Sequence, residues 1–151
     1  MRAFLSDDEE CAWHGLVEAQ DSLTRALDAR LLADHRIPLK TLEALIEIAH
    51  AEEGSISVSD LAERIRLSPS RTSRLAIELE RHGLVERQRD SADTRSTRVA
   101  ATQAGRDRLL EAAPTYLGTI RAHLFEGLTK RDVKQLGRIL VRIQATRPDS
   151  A

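Results

Sequence analysis

The chain has 151 residues, of which 41% are hydrophobic and 31% are charged, a balance typical of a folded domain. Aromatic residues make up only 3%, which argues against a protein that binds single-stranded nucleic acid by base stacking. The single cysteine excludes an internal disulfide framework and a multi-cysteine metal cluster. No apolar run approaches the roughly 18 residues of a membrane span, and the acidic start is no secretion signal. These features predict a soluble, cytoplasmic protein with no membrane partner.

The net charge of −1 hides an uneven distribution. Residues 1–63 hold 5 basic side chains against 14 acidic ones, whereas residues 64–98 hold nine arginines against five acids. A basic segment can anchor phosphates while an acidic remainder keeps the molecule soluble. The excess of arginine over lysine is also what a genomic coding bias would produce, so composition alone does not decide the function.

Hydrophobic periodicity predicts two helices in the first third of the chain. Apolar residues recur at three- and four-residue steps over 7–33, and Ser6 can cap the start of this helix. Its length favours pairing with another chain. Pro38 prevents continuation of that helix, and a second helix is predicted over 39–51.

The next segment predicts a helix-turn-helix. Ser57 is a natural N-cap with Asp60 three residues later, and the helix it starts ends near Arg66. Ser68-Pro69 then begins another helix, with Ser68 at the cap and proline in the first turn, and Gly83 stops it. Two helices separated by three or four residues form this motif.

After Gly83 the apolar period changes from about 3.6 to 2, which predicts a β-hairpin. Strands are expected over 84–89 and 97–101, with a turn over 90–94. A helix then runs from Thr102, which can cap it, to about residue 125, and Pro114 within it can introduce a kink. Thr129 caps a final helix, and residues 147–151 are expected to fray.

The start of the second helix of the pair carries the residues best suited to DNA. Hydroxyl and guanidinium side chains crowd its first turns, where a helix entering the major groove meets base edges. An ordinary solvated helix face is the alternative. The residues concerned are Ser70, Arg71, Ser73 and Arg74.

The order of these motifs resembles the winged helix-turn-helix of the MarR family of bacterial regulators. The resemblance is carried by Leu61-Ala62-Glu63, Leu67-Ser68-Pro69-Ser70, the run 79–87, the wing segment 89–95 and the exit Thr102-Gln103-Ala104-Gly105. It implies a mainly α fold with a small β-hairpin wing. It also implies a homodimer: an N-terminal dimerisation helix in 1–36, a DNA-binding lobe in 37–101 and C-terminal dimerisation helices in 102–151.

The resemblance implies a regulator of double-stranded DNA, and repression is favoured over activation. The expected phosphate contacts are Arg71, Arg87, Arg89 and Arg98, and the expected base contacts are Ser70 and Arg74. Arg95 matches the wing-tip arginine that enters the minor groove, and Asp93 matches the acid that orients the wing. A turn-stabilising salt bridge is the alternative for that pair. Thr94 departs from the family, where many relatives carry a second arginine.

Many relatives release DNA when a small phenolic or aromatic acid binds between the dimerisation helices and the DNA-binding lobe. By that resemblance an unidentified small-molecule effector, aromatic or anionic, is expected here. The candidate residues are Trp13, His35, Arg36, Tyr116 and Arg121. Packing in the helical or dimer core is the favoured alternative for Trp13, because large rings dominate such packing.

Other functions have weaker support in the sequence. One branch of the family senses oxidants through a cysteine in the first helix, but the acids just before Cys11 disfavour a reactive thiolate. The five histidines show no metal-ligand spacing, and no catalytic motif occurs, so neither a cofactor nor an enzyme is predicted. The near-neutral charge and Thr94 leave open an interaction module whose winged helix does not bind DNA.

Overall fold

A computed structural model describes residues 5–52, 54–89 and 97–146. Within these ranges the chain is mostly helical, with one small sheet. The helices are α1 (Asp7–His35), α2 (Leu39–Ala49), α3 (Val58–Ile65), α4 (Pro69–Arg81), α5 (Gln103–Ile120), a one-turn π-helix (Arg121–Phe125) and α6 (Lys130–Ala145), and the strands are β1 (Ile56–Ser57), β2 (Val85–Arg89) and β3 (Thr97–Ala101). This architecture confirms the predicted fold class.

The sheet has the order β1-β3-β2, and both pairings are antiparallel. Arg87 of β2 lies opposite Val99 of β3, which in turn lies opposite Ile56 of β1. The hairpin of β2 and β3 was predicted, whereas β1 was not. A two-residue strand is too short to show an alternating pattern, and it exists only because β3 offers it a free edge.

Contacts divide the chain into two compact units. The first, Leu27–Leu117, is called the winged lobe below, and its core is apolar. The fully buried side chains come from most of its elements: Leu31, Leu42, Leu45, Ile48, Leu61, Leu79, Val85 and Val99. Such a core holds α3, α4 and the sheet in one fixed arrangement.

The second unit, called the helical unit, comprises Met1–Ala26 and Gly118–Ala151. No described side chain of α6 is buried, although this helix is rich in aliphatic residues. The predicted division into dimerisation helices (1–36 and 102–151) and a DNA-binding lobe (37–101) depends on the dimer, and it stays a prediction.

Capping boxes fix the starts of both terminal helices. The Ser6 backbone N–H donates to a Glu9 carboxylate oxygen at 2.7 Å, and the Glu9 N–H returns a bond to Ser6 Oγ at 3.3 Å. Thr129 and Asp132 form the same arrangement before α6. Hydrogen bonds from the Ser6 backbone N–H to Glu9 and from the Thr129 hydroxyl to Asp132 lower the pKa of these two carboxyl groups. Both predicted caps are therefore present.

The helix predicted over 102–125 differs in detail. Pro114 lies inside α5 without ending it, and the helix changes to a π-helical turn at Arg121. Thr102 caps the start, because its Oγ1 accepts a hydrogen bond from the Gly105 N–H at 3.1 Å. In a π-turn each backbone hydrogen bond spans five residues instead of four. The spacing of apolar residues does not reveal this change.

Candidate nucleic-acid interface

The turn between α3 and α4 is built by local sequence. Ser57 Oγ accepts a hydrogen bond from the Asp60 N–H at 3.0 Å and so caps α3. Arg66 ends α3 in the left-handed region with φ of 55°. Pro69 then occupies the first turn of α4, where its missing N–H costs no hydrogen bond. Ser68 has the predicted N-cap backbone, but its side chain makes no capping bond and its Oγ lies 3.3 Å from Ser70 Oγ.

One face of α4 is buried and the opposite face is open. Thr72, Ala76 and Leu79 pack into the winged lobe. Helical spacing therefore turns Arg71 and Arg74 outward, and both side chains are exposed. Ser70 is exposed as well, and Ser73 is half-buried.

The two outward arginines of α4 have no acidic partner in the described part of the chain. Neither Arg71 nor Arg74 forms an ion pair with any residue that the structure describes. Their guanidinium groups stand on the first two turns of α4, near the positive end of the helix dipole. An unpaired positive charge there is suited to phosphate or to a guanine edge.

The arginines of the wing strands differ from one another. Arg89 is exposed at the end of β2. Arg87 is half-buried, and its Nε donates to Glu80 Oε2 at 2.8 Å. Arg98 is half-buried too, and it donates from Nε to Ser55 Oγ at 2.9 Å and from Nη2 to Ser55 O at 2.8 Å. Two of the three phosphate contacts predicted on β2 and β3 thus already bind other parts of the lobe.

The partners of these two arginines were not predicted from the sequence. Glu80 lies seven residues before Arg87, and Ser55 lies 43 residues before Arg98. No short motif signals either contact, because each depends on how the sheet packs against the helices. The predicted wing residues Asp93 and Arg95, and Thr94 between them, lie outside the described residues, so their roles stay predictions.

The five effector candidates are divided between the units. Trp13 and Arg121 lie in the helical unit and are exposed. In the winged lobe, His35 Nε2 lies 2.8 Å from Thr115 Oγ1. Arg36 is exposed, with a left-handed φ of 52°. Burial raises the pKa of the Tyr116 hydroxyl, and the nearby Glu43 and Glu47 carboxylates raise it further.

The winged lobe contains two cavities beside these candidates. One, of about 250 Å³, has Tyr116 in its wall together with the Lys40–Glu43 and Arg64–Glu47 ion pairs. The other, of about 300 Å³, is called the corner cavity below because it adjoins the turn between α1 and α2. Its lining consists of Arg36, Ile37, Pro38, Thr41, Leu75, Glu78, Leu79, His82, Leu84 and Arg108. The corner cavity therefore touches the second half of α4.

The helical unit carries an apolar groove of about 490 Å³. Its walls come from α1, α6 and Leu124, and almost all of them are aliphatic. The side chains are Ala12, Gly15, Leu16, Ala19, Gln20, Leu23, Leu124, Leu136, Ile139, Leu140 and Ile143. Leu16 is 47% exposed and Ile143 is 50% exposed, so the groove leaves a large apolar surface uncovered in one chain.

Other kinds of site find no support in the described ranges. No three His, Cys, Asp or Glu side chains of residues 5–52, 54–89 and 97–146 come together as a metal site. None of the helices in that part of the chain is long and apolar enough to cross a membrane. Cys11 is a free, exposed thiol.

The capped helix pair α3–α4, followed by an antiparallel hairpin, defines a winged helix-turn-helix protein. A family model described as the MarR family matches residues 41–97. Residues 41–97 thus resemble the MarR family, and the relatives described next share this likeness over most of the chain.

Among the proteins similar to this chain are YdgJ, Sco3205 and CouR. An uncharacterized HTH-type transcriptional regulator, YdgJ of Bacillus subtilis, is 28% identical over 109 residues, which cover 72% of this chain and 62% of that protein. Sco3205, a MarR family transcriptional regulator from Streptomyces coelicolor solved in complex with DNA, is 26% identical with a TM-score of 0.87, covering 100% of this chain and 95% of that one. CouR from Rhodococcus jostii, solved bound to p-coumaroyl-CoA, is 26% identical with a TM-score of 0.76, covering 97% and 98%.

Proposed function

We propose that this protein is a cytoplasmic transcriptional regulator that binds a pseudo-palindromic DNA site as a homodimer and acts without catalysis. The observation that carries the proposal is a pair of exposed arginines on the outward face of α4, Arg71 and Arg74, which form no ion pair within the described ranges. The DNA complex of the similar regulator Sco3205 supports it. A dimer bound to DNA blocks polymerase mechanically, which favours repression.

A second copy of the chain is the proposed occupant of the apolar groove. Exposed aliphatic surface of this extent is unfavourable in water, and its burial stabilises a dimer by about 25 cal/mol per Å². Two copies present two α4 helices, and a pseudo-palindrome matches that two-fold symmetry. The dimer thus accounts for both the groove and the expected form of the DNA site.

Arg74 provides the direct test of DNA recognition. We expect Arg74→Ala to cost about 1–3 kcal/mol of specific binding and to relax the preference at one base position of each half-site. Arg81→Ala is the matched control, since Arg81 is an exposed arginine at the other end of α4. Duplexes selected from a randomised DNA pool would be compared for the wild type and both variants.

The selection also separates the alternatives. A recovered palindrome whose preference changes only in Arg74→Ala supports base contact by that residue. If Arg74→Ala weakens binding to all sequences by the same factor, Arg74 contacts the phosphate backbone instead. No enrichment with the wild type contradicts DNA binding and favours the winged-helix interaction module.

We further propose the corner cavity as the effector site. Arg36, His82 and Arg108 bring three basic side chains to its wall against one acid, Glu78, and Ile37 and Leu79 supply buried apolar surface. This lining suits a small molecule with an apolar body and a carboxylate. Because α4 forms part of the wall, a bound molecule changes the position of the DNA-binding helix most directly from here. CouR bound to p-coumaroyl-CoA is a precedent among similar proteins.

Arg36→Ala tests this assignment. Loss of one charge-assisted contact is expected to weaken the binding of an aromatic carboxylate about tenfold or more, while DNA affinity without the carboxylate stays unchanged. Binding would be followed by Trp13 fluorescence and by release of DNA, with benzoate and hydroxybenzoates as probes and the uncharged benzamide for comparison. Arg81→Ala is again the control, because Arg81 does not line the cavity. Equal responses of the two variants would contradict the assignment.

A further inference from the structure

An acidic residue of α4 is bound to the wing, the name used here for the hairpin of β2 and β3. Glu80 lies in the last turns of α4, and its two carboxylate oxygens both accept hydrogen bonds from Arg87 of β2. Oε2 accepts from Arg87 Nε at 2.8 Å, and Oε1 accepts from the Arg87 backbone N–H at 3.3 Å. The side chains are 39% and 29% exposed, so solvent screens the pair only in part.

These two bonds connect α4 to the wing through the backbone as well as through the side chain. The bond to the N–H fixes where β2 passes α4, and the bond to Nε fixes the direction of the Arg87 guanidinium. β2 in turn pairs with β3, whose Arg98 is held at Ser55 on the far side of the sheet. Glu80 therefore adds a polar connection between α4 and the hairpin to the one that the apolar core makes.

We propose that Glu80 is a positioning residue for DNA binding, which holds the wing in register with α4 so that both reach the DNA together. This inference rests on the proposed DNA-binding function. It has an unusual consequence, because a carboxylate on a DNA-binding helix ordinarily weakens binding by repelling phosphates. Here removal of the negative charge lowers affinity.

Repulsion of phosphates and positioning of the wing predict opposite changes in DNA affinity when an acidic side chain is removed, so a matched control can distinguish them. Glu86 is the neighbour of Arg87 on β2, and its exposed carboxylate has no ion-pair partner among the described residues. Glu86→Ala is expected to bind the selected duplex as tightly as the wild type or more tightly. Glu80→Ala is expected to bind it about 5- to 30-fold more weakly, the change in an equilibrium constant that follows the loss of a charge-assisted pair.

Two further readouts separate positioning from a general loss of stability. Hydroxyl-radical footprints of folded Glu80→Ala are expected to lose protection at the minor-groove positions of the wing while keeping protection by α4. The slope of log affinity against log salt is expected to fall only by the contacts that the wing loses, since the phosphate contacts of α4 are kept. A uniform weakening of the whole footprint would overturn the positioning role.

A double-mutant cycle with Arg87→Ala completes the test. If the two residues act through each other, the double variant binds as weakly as either single variant. If Arg87 contacts phosphate instead, its loss reduces the salt slope by about one and the two effects add, which overturns the proposal. If Glu80→Ala binds as tightly as Glu86→Ala, only the positioning role is overturned. If the wild type binds no selected duplex, the DNA-binding function is overturned with it.

Discussion

Gly105→Ala is expected to destabilise the winged lobe by about 3 kcal/mol or more, toward the upper end of the range for overpacking a tight contact. A Cβ atom at this position would lie 2.0 Å from the Leu84 carbonyl oxygen and 3.0 Å from the Leu84 carbonyl carbon. Both are backbone atoms, which cannot turn aside as a flexible side chain can. The carbonyl oxygen also accepts a hydrogen bond from the Thr102 N–H at 3.1 Å, so moving it breaks a second contact.

Thermal unfolding measures this effect, and the same helix supplies the control. Gly118 also lies in α5, but a Cβ there would meet no atom within 4 Å. Gly118→Ala is expected to stabilise the fold by up to about 1 kcal/mol, because alanine favours a helix interior. For Gly105→Ala the melting temperature should fall by roughly 2–4 °C per kcal/mol lost. Equal melting temperatures of the two variants would show that α5 does not approach Leu84 so closely.

Leu140→Glu is expected to separate the dimer and to lower DNA affinity by about a hundredfold or more. Leu140 lines the apolar groove of the helical unit, and a carboxylate in a buried interface carries a large desolvation cost. A monomer holds only one half of the DNA site, and loss of the second linked contact costs about 10²- to 10⁴-fold.

The adjacent residue provides the control for this variant. Val141 is 65% exposed and does not line the groove, so Val141→Glu is expected to remain dimeric. Sedimentation equilibrium gives the molecular mass of each variant, and circular dichroism shows whether α6 is still helical. A dimeric Leu140→Glu protein would contradict the assignment of the groove to a second copy.

Local sequence signals predicted most of the helical framework. Ser57, Thr102 and Thr129 were expected as caps, and each accepts the capping hydrogen bond. Such signals succeed because the residues involved lie within one helical turn of each other. Strand β1 was missed because it forms only by pairing with β3, which is distant in sequence. The π-turn was missed because it differs from an α-helix by one extra residue in the hydrogen-bond pattern.

Only the part of the candidate site that lies on α4 could be predicted from the sequence. The outward arginines of α4 follow from helical spacing, and the structure leaves both of them exposed. The surroundings of Arg87 and Arg98 do not follow from spacing. A guanidinium group is equally suited to phosphate, to a carboxylate and to a carbonyl oxygen, and only the packing of the sheet decides which of them lies nearby.

The contact between the two ends of the hairpin segment has a consequence for how such proteins diversify. Thr102 Oγ1 donates to the Gly83 carbonyl oxygen at 2.7 Å, and the Thr102 N–H donates to Leu84 O. The chain thus leaves the framework and returns to it at almost the same point. A longer or shorter insert between these anchors adds only a small closure entropy. The length of the hairpin can therefore vary, and target preferences with it, as long as Val85, Arg87 and Val99 keep their contacts and the helices keep their places.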